Sequence, residues 1–258
     1  MKLFITGIST DVGKTITAAI IVEALQADYW KPIQAGDLNN SDSKKVKDLI
    51  SNSKTEIFEN AYQLKTPASP HFAAQIDNIE IKLEKIVEPK TKNHLVIEGA
   101  GGLFVPLNKN DCVIDLIQPD YEVIVVSRHY LGSINHTLLT IEALKSRNIN
   151  IKGIVFSGDE NKASESIILS KTNINFIGRI NQEPYFDKNV VAEYADLFRE
   201  NLHKEKSISI TIEEEIYIPL WQKEAVLKRK QMASTNPASM SDFDTMMSEL
   251  KKELDDEV

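Results

Sequence analysis

The sequence predicts an α/β fold, a mostly parallel β-sheet flanked by helices. Three observations predict it. Short, β-rich apolar runs recur along the chain without the polar alternation of a half-exposed strand, as expected of strands buried on both faces. Between them lie segments whose apolar residues fall three and four positions apart, the spacing of a helix with one buried face. Polar, glycine-bearing segments close several of the runs, and strand–helix alternation of this kind builds βαβ units.

Taken in order, residues 3–6 (Leu-Phe-Ile-Thr) form the first expected strand and 15–27 the helix after it. Further strands are expected at 29–33, 94–98, 123–127, 151–156 and 174–177, and further helices over 79–87 and 135–147. From about residue 203 the character changes. Residues 206–212 read as another strand, followed by Glu213-Glu214-Glu215. A helical stretch then runs from Pro219 to about residue 232, and Asn236-Pro237 marks a turn. Ser241-Asp242 caps a last helix that places Phe243, Met246, Met247, Leu250 and Leu254 on one face. We therefore divide the chain into a domain at 1–203 that carries the chemistry and a mostly helical β/α extension at 204–258, read as a docking module.

At 258 residues the chain fits one ordinary α/β domain plus an appendage. The net charge of −8, with no basic stripe, argues against nucleic acid as a partner. A single cysteine, Cys112, excludes an intramolecular disulfide framework or a cysteine metal cluster; it reads as a small buried side chain in a reducing compartment. No apolar run approaches the roughly 18 residues that span a bilayer. The expectation is a soluble, cytoplasmic protein with no membrane partner.

Ligands of parallel sheets gather at the carboxyl ends of strands, so the segments that follow the strands carry the functional argument. The first is Gly7-Ile8-Ser9-Thr10-Asp11-Val12-Gly13-Lys14-Thr15. A glycine turn leading from a buried strand into a helix aims backbone N–H groups at a phosphate, and the helix dipole favours the negative charge. Lys14 supplies a point charge for the outer phosphates, and the Thr15 hydroxyl is placed to ligate Mg²⁺. Five residues separate Gly7 from Gly13, one more than the usual phosphate-loop spacing. A nucleoside triphosphate is the first ligand to consider.

The second segment is Lys31-Pro32-Ile33-Gln34-Ala35-Gly36, followed by Asn40-Ser41-Asp42. A lysine at a strand's carboxyl end can point toward the phosphate loop, and Asp42 can hold Mg²⁺ directly or through water. Taken alone, Lys31 reads as a solvated lysine and Asp42 as a turn or helix-cap aspartate. The third segment is Glu98-Gly99-Ala100-Gly101-Gly102, where a carboxylate ends a buried strand beside the phosphate loop and the glycines admit close backbone approach. Two more are Ser69-Pro70-His71 and Gly132-Ser133-Ile134-Asn135-His136, the latter opening a helix whose N–H groups suit a carboxylate. No histidine pair has metal-ligand spacing, so no transition metal is expected.

In their order and spacing these motifs resemble those of the dethiobiotin synthetases, the ATP-dependent carboxylases of biotin biosynthesis. The resemblance runs from residue 1 to about 202, roughly four-fifths of the chain. Lys31-Pro32 together with Glu98–Gly102 is its most specific part. It implies a P-loop NTPase-type fold and a homodimer with its sites at or near the subunit interface. It also implies a ligase that closes 7,8-diaminononanoate with CO₂ to dethiobiotin, using ATP and Mg²⁺, through a carbamate and a carbamic-phosphoric anhydride. Carried over by position, Lys31 stabilises the carbamate and the transferring phosphoryl, Lys14 clamps the β- and γ-phosphates, and Thr10 lines the same pocket. Thr15, Asp42 and Glu98 bind Mg²⁺. The amides of Asp11, Val12, Gly13, Lys14, Thr15 and Ile16 hold phosphates, with Gly99, Ala100 and Gly101 close by. Gly132, Ser133, Ile134 and Asn135, from the partner subunit, receive the substrate carboxylate. Two positions depart from the family pattern. Ser157 stands where an Asn usually reads the adenine edge, which weakens the expected adenine preference. Ala35 stands where some members carry a substrate-contacting Ser. The competing reading is a ParA/MinD-like switch ATPase, whose loop normally carries a second lysine at the position of Ser9.

Overall fold

Strand β1 (Lys2–Gly7) is buried at every position after the first, which is why its run is apolar on both faces. The computed structural model describes residues 1–203 and Gln231. In chain order, α1 (Lys14–Leu25), β2 (Asp28–Trp30), β3 (Ile33–Ala35), α2 (Asp42–Leu49), β4 (Ile57–Phe58), β5 (Tyr62–Leu64) and α3 (Pro70–Ile76) follow. Then come β6 (Leu95–Glu98), β7 (Glu122–Arg128), α4 (Ser133–Ser146), β8 (Asn150–Ser157), α5 (Lys162–Thr172), β9 (Phe176–Ile180) and α6 (Lys188–His203). Residues 1–180 and 187–203 cluster together, and 181–186 cluster apart from them.

Seven strands form one sheet in the order β4-β2-β6-β1-β7-β8-β9, and every neighbouring pair is parallel. β3 and β5 make a separate parallel pair. Side chains alternate across the sheet. Phe4, Ile97, Val123 and Val125 share a core with Ile141 and Leu144 of α4. α1, α2 and α6 pack on one another, with α1 also against β1 and β6. The expected α/β architecture is present, and β1 sits between the strand that returns from the far side, β6, and the one that continues outward, β7. The carboxyl ends of β2, β6 and β1 are therefore neighbours, which is the place where such sheets bind ligands.

Three boundaries differ from the sequence reading. The strand expected at 29–33 is cut in two at Lys31-Pro32, because proline has no N–H to continue the ladder. Its carbonyl instead accepts from the Tyr62 N–H at 3.0 Å and starts the β3–β5 pair. The helix expected over 79–87 is absent apart from a single 3₁₀ turn at Leu83–Lys85. Here Ile81 enters the core with Leu83 and Ile86 packed against it, while Ile79 and Val87 are exposed. The Ile81 carbonyl accepts from Asn108 Nδ2 at 3.0 Å and the Lys82 N–H donates to the Tyr62 hydroxyl at 3.0 Å, so side chains rather than a helix satisfy this backbone. The strand expected at 174–177 lies at Phe176–Ile180. Gly178 lies inside this strand, where a Cβ would enter the Phe198 ring. The helices expected over 15–27 and 135–147 correspond to α1 and α4. Cys112 is half-buried against the core rather than fully enclosed. The elements expected beyond residue 203 lie outside the described residues.

Candidate active site

The loop after β1 is shaped by two glycines. A Cβ on Gly7 would stand 2.6 Å from Val12 Cγ2, 2.8 Å from the Ser9 carbonyl oxygen and 3.1 Å from Lys14 Nζ, so the lysine folds back over a position only glycine can fill. Gly13 has φ +94°, and a Cβ there would meet Ser157 Oγ at 2.9 Å. Asp11, at φ 54°, completes the turn, and its carbonyl accepts from Arg128 Nη1 at 3.1 Å. Val12 is buried beneath the loop, and Lys14, Thr15 and Ile16 form the first turn of α1. Lys14 is 8% exposed and donates to the Ser9 carbonyl at 3.0 Å. Burial lowers its pKa from 10.5 to about 8, against the opposing pull of Glu98.

Beside the loop lies a cluster of charge drawn from three elements. Thr15 Oγ1 donates to Glu98 Oε1 at 2.9 Å. Lys31 Nζ donates to the same oxygen at 2.9 Å and also to Asp42 Oδ2. Tyr29, fully buried, donates its hydroxyl to the other oxygen, Glu98 Oε2, at 2.7 Å. Burial first and the Glu98 and Asp42 charges next hold the Tyr29 hydroxyl well above its usual pKa, so it stays a donor. Burial would lower the Lys31 ammonium, but Glu98 and Asp42 outweigh it and the net direction is up. Burial would likewise raise the Asp42 carboxyl, and the Lys31 charge and hydrogen bond bring it below the usual range.

Local sequence explains how each group is held. Ser41 caps α2, its hydroxyl accepting from the Lys44 N–H at 3.4 Å, and this starts the helix on Asp42. The Asp42 N–H donates to Gln34 Oε1 at 3.2 Å, and Gln34 Nε2 is tied to the Gly36 carbonyl at 3.0 Å. Asn60 Nδ2 donates to the Lys31 carbonyl at 2.7 Å and fixes the break between β2 and β3. The 98–102 turn lies against the phosphate loop. A Cβ on Gly102 would be 3.4 Å from the Gly7 carbonyl oxygen, and one on Gly101 would be 3.6 Å from Thr10 Oγ1. Ala100 packs against the core.

The structure thus brings Lys14, Thr15, Lys31, Asp42, Glu98, Thr10 and Gly101 to the carboxyl ends of β1, β2 and β6, and Ser157 to the flank of Gly13. Ala35 lies on β3, half-buried. Gly132, Ser133, Ile134 and Asn135 line a different recess with His129, Tyr130, Leu131, Leu138, Asn161 and Ser164, and none of the charged cluster lines it. Sequence reasoning missed Tyr29, Gln34, Asn60 and Arg128. Tyr29 had a readable signal, since residues two apart on a strand share a face and it precedes Lys31 by two. Arg128 had none, because its link to Asp11 spans 117 positions.

An all-oxygen donor set of Thr15, Asp42 and Glu98, gathered around the positive charge of Lys31, fits a hard cation such as Mg²⁺. The set has two carboxylates and a hydroxyl, as for a metal shared with phosphate oxygens; no group of three metal-binding side chains of the His, Cys, Asp and Glu type occurs among the described residues.

A glycine-turned loop at the start of a helix, with a buried lysine and a carboxylate at the end of the adjacent strand, defines a P-loop nucleoside triphosphatase. A family described as an AAA domain matches residues 1–190. The ATP-dependent dethiobiotin synthetase BioD of Christiangramia forsetii is 60% identical over 199 residues, covering 77% of this chain and 96% of that protein. The enzyme of the same name from Cytophaga hutchinsonii is 53% identical over 196 residues, covering 75% and 95%. The chain belongs to the dethiobiotin synthetase family. Among solved structures, the septum site-determining protein MinD of Pyrococcus horikoshii, complexed with Mg-ADP, aligns with a TM-score of 0.51 at 15% identity, covering 78% of this chain and 95% of that one. At that identity the likeness shows the fold alone. No helix among the described residues is long and apolar enough to cross a membrane.

Proposed function

We infer that this ligase closes 7,8-diaminononanoate and CO₂ to dethiobiotin at the expense of ATP, and that the cluster around Lys31 carries the chemistry. The observation that supports it most directly is the Lys31 ammonium held between Asp42 and Glu98, with Glu98 also tied to Thr15 at the head of the phosphate-loop helix.

The chemistry has three steps. One substrate amine adds to CO₂ and loses a proton, giving a carbamate. A carbamate oxygen attacks the γ-phosphorus and ADP leaves, giving a carbamic-phosphoric anhydride. The second amine attacks the carbonyl carbon, phosphate departs, and the cyclic urea is closed. Negative charge builds on the carbamate and on the transferring phosphoryl. A buried, pre-placed ammonium stabilises that charge without reorganising, the kind of contribution that is worth about 10²–10³ in rate. Lys31 is such a group on the carbamate side, and Lys14 is its counterpart on the phosphate side. The amides of residues 11–16 hold the phosphates, and Thr10 with Gly99 and Gly101 lines the same pocket. Thr15, Asp42 and Glu98 would hold Mg²⁺, which would supply Lewis-acid neutralisation of the phosphate oxygens.

Gly132, Ser133, Ile134 and Asn135 open α4 and suit the substrate carboxylate through backbone N–H groups and the dipole. Their distance in chain and lining from the Lys31 cluster supports delivery from a partner subunit, hence a homodimer. Ser157 is read as the residue that meets the base of the nucleotide, where it offers fewer hydrogen bonds than an amide. A cytoplasmic enzyme without nucleic-acid partners, with residues 204–258 as an extension to the catalytic domain at 1–203, accords with the sequence.

Phosphate release tests the reading. Turnover should require MgATP, the diamine and bicarbonate together. Release that ignores the diamine and bicarbonate would instead support a switch ATPase.

A further inference from the structure

Asp11 and Gly13 are the two left-handed residues of the phosphate loop, at φ 54° and +94°, and Val12 lies between them. Glycine takes that conformation freely, whereas aspartate keeps it only where its surroundings hold it there. The hold on Asp11 comes from the next strand. Arg128 ends β7, two residues past Val126, whose carbonyl accepts from the Ile8 N–H at 3.1 Å where the loop begins. Arg128 Nη1 donates to the Asp11 carbonyl at 3.1 Å. Among the described arginines, Arg147, Arg179 and Arg199 each pair with a carboxylate, and Arg128 pairs with none. Its register partner in β8 is Ser157, whose Oγ lies 2.9 Å from the place of a Gly13 Cβ. Each left-handed residue is thus met by the end of one of two neighbouring strands.

A trans peptide unit is planar, so its C=O and its N–H point in opposite directions. With the Asp11 carbonyl fixed on Arg128, the Val12 N–H is aimed the other way, and it meets no acceptor among the described residues. Val12 is 1% exposed, and an open N–H on a buried residue is the kind of donor that a phosphate oxygen satisfies. Turning the same peptide over would set a carbonyl oxygen in its place and repel the phosphate. We propose that Arg128 is a positioning residue for the phosphate loop: by gripping the Asp11 carbonyl it keeps the Val12 N–H aimed at the phosphates of the nucleotide. The inference rests on the reading of the amides of residues 11–16 as the phosphate holders.

The test uses the full chain, with a non-hydrolysable ATP analogue and inorganic tripolyphosphate as probes, each titrated calorimetrically with Mg²⁺ present. Arg128→Met should weaken both by the same factor, at least about tenfold, the worth of one hydrogen bond to a charged group. The Val12 amide is followed by NMR in parallel. In the wild type it should move downfield as either probe binds, and in Arg128→Met it should already be displaced or broadened before any probe is added. A melting curve checks the fold, and Arg128→Leu serves if the Met variant is unstable. Unchanged affinity for both probes would overturn the proposal. A loss confined to the ATP analogue would also overturn it, since the guanidinium would then meet the nucleoside. So would a loss for both probes with the Val12 amide of the free protein unmoved, since the guanidinium would then meet the phosphates themselves. Lys14→Met separates the two levels. If it weakens both probes while the Arg128 variants do not, the Arg128 assignment alone falls. If it leaves both probes bound as in the wild type, the phosphate-loop reading falls and the proposal with it.

Discussion

Lys14 makes nucleotide binding pH-dependent in a defined window. In the nucleotide-free protein its pKa is about 8, below the usual 10.5, chiefly because burial strips the ammonium of water. A folded pKa below the unfolded one means a penalty on folding that is fully present below pH 8 and vanishes as pH rises to 10.5. The gap corresponds to about 3 kcal/mol. Bound phosphates supply the missing counter-charge and raise the pKa again. Affinity should therefore be flat below pH 8 and fall by up to about tenfold per pH unit above it, since binding must then take up a proton. At pH 9 about nine-tenths of the free protein has lost that proton, so uptake should approach one per nucleotide. Lys31, raised above its usual value, stays charged across this window and does not contribute. Calorimetric titration with a non-hydrolysable ATP analogue, in two buffers of different ionisation enthalpy, reads the uptake directly. Lys14→Met should abolish it and weaken binding. Constant affinity from pH 7 to 10, or uptake that survives in Lys14→Met, would refute the reasoning.

Other outcomes follow from particular contacts. Gly13→Ala places a Cβ at φ +94° and 2.9 Å from Ser157 Oγ, so the loop should lose about 1–2 kcal/mol of pre-organisation, read as weaker analogue binding in the same titration. Glu165 is fully buried between His129, at 2.7 Å, and Arg179. Glu165→Ala leaves the Arg179 charge without that partner and should lower stability by about 3–5 kcal/mol in denaturant unfolding, with Glu165→Gln less damaging. Removal of residues 204–258 should leave turnover intact, and a folded but inactive truncated protein would show that the extension takes part in catalysis.

The sheet was legible because its strands are buried on both faces, so residues 3–5 and 123–126 are apolar without alternation. The phosphate loop was legible because its glycines answer a local demand, space for Lys14 over Gly7 and a left-handed turn at Gly13. The short helix α2 was not, since Val46 is its one buried residue and a polar face leaves no periodic signal. The break at Lys31-Pro32 was misread as a continuous strand, although the proline was there to be weighed. In the site, Lys31, Asp42 and Glu98 each look ordinary alone, and only the parallel order β2-β6-β1 brings them together. Glu98 to Lys31 spans 67 positions and Arg128 to Asp11 spans 117, distances over which no local pattern reports.

The decisive measurement is the turnover of Lys31→Ala set against its nucleotide affinity. With MgATP, diamine and bicarbonate saturating, dethiobiotin formation should fall at least about a hundredfold while binding of the ATP analogue stays close to wild type. Wild-type turnover in that variant would remove the ammonium from the chemistry and contradict the account.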